Sequence, residues 1–458
     1  MPLNDNREPV TSTSVTKAFR RVTEIINHRR LLTWTTKGGM AIVDQGLITG
    51  SNFVLSILLA RWLSREEYGA FALGFAVFLL VATLYQALLL EPMSVFGGAD
   101  YYPKIRTYFS TLLRIHLIAT ILIIAAIGGS AQILHLMSRG DGLPGALTGV
   151  ALCAPCVLLL WLARRVFYLR LSANFAVIGA SVYCLLLITG LFLAHARGLL
   201  SSFSAFALTG LSALLSSMVL LLWLKSKLRG SDSALEFRAV WSRHWKYGRW
   251  ALLSAAAMWI PANTFYPLVG SFSGVASAGE LKALLNFFNP IFQVYSALSL
   301  LLLPYASRRQ SQGAEPGSLS WKITLLCITG TVCYWLIVIL FQRQAFAILY
   351  GGRYREVAPL LPVVALGSVF DNAFFGPAIV LRAMESPKSV FAALLVAAVL
   401  SVAVGVPATW AFGVKGAVWT QSLSAVMAFG AAGLLLRRRL AALASLPLQD
   451  DSSLLPAQ

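Results

Sequence analysis

Residues 143–162 read LPGALTGVALCAPCVLLLWL, an unbroken apolar run with no charged side chain, closed by Arg164 and Arg165. A helix needs ~20 mainly apolar residues to cross hydrocarbon, so a run of this length reads as a membrane-spanning helix. Similar runs, bounded by charge, proline and glycine, lie near residues 40–59, 70–90, 112–136, 175–194, 203–224, 250–269, 281–303, 323–341, 358–381, 389–412 and 416–436. They are continuous rather than alternating, which argues against barrel strands. The sequence therefore predicts an all-α polytopic membrane protein with twelve transmembrane helices. Composition agrees, since 58% of the 458 residues are apolar and 12% are charged, about half the usual charged share of a soluble domain.

The formal net charge is +19, which on its own could suit nucleic acid or an anionic membrane surface. The charges sit in short segments between apolar runs, as a bilayer sorts loops, so no nucleic-acid partner is expected. On alternate sides of the twelve spans, 27 Lys and Arg residues face 8, with Arg114 and Lys282 inside spans. Positive loops stay in the cytoplasm, which places both termini there. The resulting division is a basic N-terminal segment (1–39), an N-terminal six-helix lobe (40–224), a basic inter-lobe loop (225–249), a C-terminal six-helix lobe (250–436) and a tail (437–458). Six spans per lobe would make any duplication a parallel repeat, although no residue-level repeat is evident. Val15, Phe19, Val22 and Ile26 recur at helical spacing among basic residues. That pattern suits an amphipathic helix on the cytoplasmic membrane face, or equally a positive tail that only enforces topology.

Ionisable groups inside the bilayer cost ~2.5–3.5 kcal/mol each on insertion scales, so Asp44, Asp371, Arg114 and Lys282 are functional candidates. In the eighth span Lys282, Asn286, Asn289, Gln293 and Ser296 follow at spacings of 4, 3, 4 and 3 and share one helical face. Gln45, Thr49, Asn52 and Ser56 repeat the device in the first span. These stripes either line a hydrated cavity between lobes or supply interhelical hydrogen bonds worth ~0.6 kcal/mol each. Arg114 meets an anionic substrate or snorkels to the headgroups, and neighbouring His116 reads as a hydrogen-bonded structural residue. Asp371 sits mid-span beside Asn372, ahead of Gly376-Pro377, where proline should disrupt the helix. An acid beside a broken helix suits cation or proton coupling; the alternative is an ion pair with a basic residue of another helix.

Cys153, Cys156, Cys184, Cys327 and Cys333 all fall in apolar runs and read as packing residues; no metal or other cofactor is expected. Gly-x-Ser-x-Gly, His-Glu-x-x-His and a phosphate-cradling Gly loop are all missing. The longest outward connection, about residues 342–357, is too short for a catalytic domain, which weakens a membrane glycosyltransferase or ligase.

The first two spans carry Asp44-Gln45-Gly46, Gly50-Ser51-Asn52-Phe53, Leu59-Ala60-Arg61-Trp62-Leu63, Glu67-Tyr68-Gly69 and Glu91-Pro92-Met93. Over residues 40–98 this resembles the Wzx-type polysaccharide flippases of the multidrug/oligosaccharidyl-lipid/polysaccharide exporter superfamily. The resemblance implies a V-shaped pair of lobes in the bacterial cytoplasmic (inner) membrane. It implies transfer of undecaprenyl-diphosphate-linked oligosaccharide to the outer leaflet for surface or exopolysaccharide synthesis, with polymerase and chain-length proteins as further candidate partners. Positive groups would then meet the diphosphate, a role open to Arg114 and Lys282. Asn286, Asn289, Gln293, Gln45 and Asn52 could bind sugar hydroxyls, and Asp371 or Asp44 a coupling ion. No family motif assigns those residues individually; they come from the physical reading. A cation-coupled drug exporter of the same superfamily is the alternative that the two acids keep open.

Overall fold

The computed structural model describes residue 40 and residues 43–98, 100–137, 142–169, 173–227, 235–311, 315–384 and 386–444. The expected amphipathic segment and the end of the tail lie outside them. Helices are the secondary structure throughout, with no strand among the described residues. They run as α1 (Val43–Trp62), α2 (Arg65–Gly97), α3 (Tyr102–Leu136), α4 (Leu143–Leu169), α5 (Asn174–Ala196) and α6 (Ser202–Leu224). After residue 235 come α7 (Phe237–Asn263), α8 (Phe265–Ser273), α9 (Val275–Asn286), α10 (Asn289–Ser311), α11 (Pro316–Leu340) and α12 (Gln342–Tyr350). The chain finishes with α13 (Arg355–Ala383), α14 (Pro387–Phe412) and α15 (Val414–Ala444).

Ten of these helices are long and apolar enough to cross a membrane; residues 237–253 and 255–273, bent by 41° against each other, make an eleventh. The remaining expected span, the eighth (281–303), is divided. α9 stops at Asn286 and α10 starts at Asn289, with Phe287 and Phe288 tightened onto the carbonyls of Leu284 and Leu285 at 3.2 and 3.1 Å. Pro290 in the first turn of α10 supplies the reason, because it has no N–H for the Asn286 carbonyl. The polar stripe expected along one face is thus split between two helices.

Two further boundaries differ from expectation. Much of the basic loop 225–249 is helical: Arg238, Arg243, Lys246 and Arg249 lie on α7, and Arg243 pairs with Asp100 while resting 4.3 Å over the Phe96 ring. Arg437, Arg438 and Arg439, expected in the tail, belong to α15. The break expected in α13 is narrow: Phe374 is a single turn residue, and bonds from Phe374 N to Phe370 O and from Ala378 N to Phe374 O carry the helix past Pro377.

Two groups of helices pack internally, α2 with α4 and α4 with α6 in the first, and α11, α13, α14 and α15 in the second. They meet chiefly where α2 lies along α7, α8 and α9. Small residues permit the approach. A Cβ at Gly69 would come within 1.9 Å of the Val275 carbonyl oxygen, and within the second group one at Gly376 would meet Thr324 Oγ1 at 2.0 Å.

Candidate functional site

The α1–α2 corner is where the two groups are fastened together. Ser64 caps α2 by accepting from Glu67 N at 3.1 Å, and the Glu67 carboxylate accepts from Ser202 N at 2.6 Å, which ties the corner to α6. Arg61 donates to Ile348 O, Arg353 donates to Leu63 O, and Arg65 pairs with Glu356 at 2.7 Å. Beneath these surface contacts lies a buried node. Ser56 Oγ donates to Asn286 Oδ1 at 3.1 Å, Asn286 Nδ2 donates to Tyr68 OH at 3.0 Å, and Tyr350 OH donates to Ala283 O at 2.9 Å. Tyr354, with φ of +63°, sets its ring beside those of Tyr68 and Tyr350. Every residue of the Glu67-Tyr68-Gly69 stretch thus serves the architecture. Glu67 holds α6, Tyr68 joins the node, and Gly69 admits α9.

Lys282, one turn before Asn286, is 5% exposed, and its Nζ lies 3.7 Å from the Phe75 ring centre and 5.7 Å from that of Tyr266. The two rings face an ammonium that has no ion pair among the described residues. Lys282 and Asn286 therefore sit inside the closed contact between the helix groups. Asn289 and Gln293, beyond the break, are half-buried. On α1, Gln45 is exposed and donates to Thr49 at 3.2 Å, and Asn52 accepts from Tyr183 OH at 3.0 Å.

The charged candidates are dispersed. Asp44 is fully buried and pairs with Arg164, which is 7% exposed, while Tyr168 OH donates to the same carboxylate. By its sequence Arg164 falls in a loop, because the apolar run of α4 ends at residue 162; a helix of 27 residues carries it inward onto α1. Asp371 is half-buried and makes no ion pair with a described residue. Its neighbour Asn372 is fully buried and donates to Thr331 and Ser368. Arg114 is exposed on the same face of α3 as Leu117 and Ile121, 61% and 68% exposed, an apolar surface that matches lipid. His116 is bonded to Tyr85 OH at 3.0 Å, as a structural histidine would be.

A cleft that sequence reading misses opens along the second half of α2. Its volume is about 430 Å³, and its walls come from α2, from Trp161 of α4 and from residues 255–263 of α7. Thr83, Gln86, Glu91, Trp161, Trp259 and Asn263 bring polar atoms to it. Here α2 departs from α-helical winding, with a π-helical turn over Gln86–Leu90. Such turns recur at functional sites and leave little mark on sequence.

No family model and no curated protein sequence matches the chain. Solved structures do. An inward-facing multidrug resistance MATE family transporter of the MOP superfamily superposes with a TM-score of 0.74 at 13% identity, covering 89% of this chain and 100% of that one. Lipid II flippase MurJ in an inward closed conformation gives 0.71 at 12% identity, covering 87% of each. An outward-facing MATE transporter gives 0.65 at 14% identity, covering 90% of this chain and 96% of the other. The fold of this chain is accordingly the two-lobed helical fold of the MATE and MurJ transporters of the MOP superfamily.

Proposed function

We propose that the protein flips undecaprenyl-diphosphate-linked oligosaccharide units from the cytoplasmic to the outer leaflet of the bacterial inner membrane, by alternating access between its two lobes. The observation that carries this reading is a polar cleft along Gln86 to Glu91 that lies between α2 and α7, on the helix whose other end is latched around Tyr68 and Asn286, while α7 stays joined to α2 through His244 and Tyr247. A diphosphate and its sugars cannot cross hydrocarbon unaided, and a path that opens at one end at a time answers that problem. The likeness to MurJ and the sequence resemblance of residues 40–98 both support a lipid-linked substrate. With both termini cytoplasmic, as the charge bias predicts, the latched end faces outward, and on this reading the conformation is an inward-facing one. The better overlap with the inward-facing MATE structure than with the outward-facing one supports the same assignment.

In this scheme Lys282 is sealed under Phe75 in the inward-open state and uncovered when the latch parts, so it meets the diphosphate on the outward side of the cycle. Gln45, Asn52, Asn289 and Gln293 offer hydroxyl partners along the path, and Asn286 joins them once the latch opens. Arg114, on an apolar face, contacts lipid headgroups. Asp371, which makes no ion pair with a described residue, is the better coupling acid. Asp44 is committed to Arg164 and Tyr168.

One observation favours the drug-exporter reading: Glu91 shares a cleft with two indoles, and no basic side chain lines it. Proteoliposomes separate the two. Undecaprenyl diphosphate carrying a fluorescent oligosaccharide should reach the opposite leaflet faster than in protein-free vesicles, and Lys282→Ala should slow it while Lys282→Arg retains part of the rate. Transport of rhodamine 6G with no effect on the lipid would replace the flippase by the exporter.

A further inference from the structure

We propose that the cleft between α2, α4 and α7 is a sugar-binding subsite, distinct from the positive groups that meet the diphosphate. The proposal rests on the flippase reading and names the part of the substrate that this cleft takes. The cleft follows α2 from Leu79 to Glu91, ~18 Å at 1.5 Å per residue, and its volume of about 430 Å³ falls within the size range of small-molecule sites.

The lining is amphipathic in the way a pyranose ring is. Trp161, Trp259 and Met258 supply broad apolar surfaces for the C–H faces of a sugar. Around them stand polar groups with unused bonding capacity. The Gln86 side chain makes no hydrogen bond to a described residue, and Trp259 Nε1 is buried without an acceptor. Asn263 spends one N–H on Trp259 O at 3.4 Å and keeps its carbonyl oxygen, while Glu91 accepts from Tyr247 OH at 3.1 Å through one oxygen and keeps the other. Together they offer both donors and acceptors, which a ligand rich in hydroxyls satisfies. An apolar ligand would leave them unpaired, at a cost comparable to several lost hydrogen bonds. A diphosphate is disfavoured by Glu91 and by the lack of any Lys or Arg in the lining.

The π-turn shapes the same wall. It begins at Gln86 and ends at Leu90, one residue before Glu91, so its extra residue sets the angular offset between two of the cleft's polar groups. A regular helix would place Glu91 about 100° away from its observed position relative to Gln86, out of register with the cleft.

The test uses the full-length protein in nanodiscs. Its probes are lipid-linked oligosaccharide extracted from the source cells, bare undecaprenyl diphosphate, and rhodamine 6G. Wild-type protein should bind the glycosylated lipid more tightly than the bare one. Gln86→Leu and Trp259→Phe, the second keeping an aromatic ring while removing the N–H, should each weaken binding of the glycosylated lipid by roughly 3–10-fold and leave that of bare diphosphate unchanged. Equal loss for both lipids, or unchanged binding of the glycosylated lipid in folded variants, overturns the sugar subsite but not the flippase. Wild-type protein that binds neither lipid overturns both readings, as does binding of rhodamine 6G alone that is lost in Glu91→Gln.

Discussion

Asn286→Leu should destabilise the latched state and leave the individual lobes intact. Asn286 makes two hydrogen bonds across the lobe boundary, to Ser56 at 3.1 Å and Tyr68 at 3.0 Å. Leucine is of similar size, so packing among Tyr68, Tyr350 and Ala283 survives while both bonds across the boundary are lost, together with a longer one to Tyr350 OH at 3.4 Å on the same side of it. Interhelical hydrogen bonds in membranes average ~0.6 kcal/mol and those in water-soluble proteins ~1, so the pair contributes ~1.2–2 kcal/mol to the closed latch. That corresponds to about an 8–30-fold shift, enough to raise a state populated at about 1 in 100 to roughly 7–23 in 100. Spin labels at Glu66→Cys and Gln344→Cys, both exposed near the latch, would report it in a background with the native cysteines replaced. The variant should gain a longer-distance population that Tyr68→Phe reproduces in part. Distance distributions identical to wild type in a folded Asn286→Leu protein would refute the latch.

Gly69→Ala should act in the same direction and more strongly, since the added methyl would lie 1.9 Å from the Val275 carbonyl oxygen; overpacking of ~1–3 kcal/mol against the closed state should appear as the same long-distance population. Removing one partner of the buried Asp44–Arg164 pair should cost ~3–5 kcal/mol and lower the melting temperature by several degrees. Combining Asp44→Asn with Arg164→Met should recover much of that loss, and a double variant as unstable as the worse single one would contradict the ion-pair account. Asp371→Asn should stay folded but lose any response of transport to an imposed pH gradient in proteoliposomes; an unchanged response would end the coupling role.

The helical class and most of the membrane-crossing segments were legible because insertion depends on local apolar length. Residues 143–162 declare a span without reference to any other part of the chain. Charge patterning is similarly local, so its orientation is an argument from sequence alone. The polar stripes were legible as stripes, but their roles were not. Lys282 and Asn286 look like the head of a cavity wall, and Pro290 is a local sign, easily passed over within an apolar run, that the helix is cut there. In the folded chain the pair belongs to a contact whose partner Ser56 is 230 residues away in sequence. Arg164 resembles a loop charge until the extra length of α4 brings it to Asp44.

Gln86, Trp161 and Trp259 carry no motif, since each is an ordinary residue of a membrane helix, and only the approach of α7 to α2 gathers them into one cleft. The physical reason for the division is plain. Transfer into a bilayer is a sum over neighbouring residues, whereas a latch, an ion pair or a cleft depends on which faces of separate helices meet. That choice is made by close packing at points such as Gly69 against Val275.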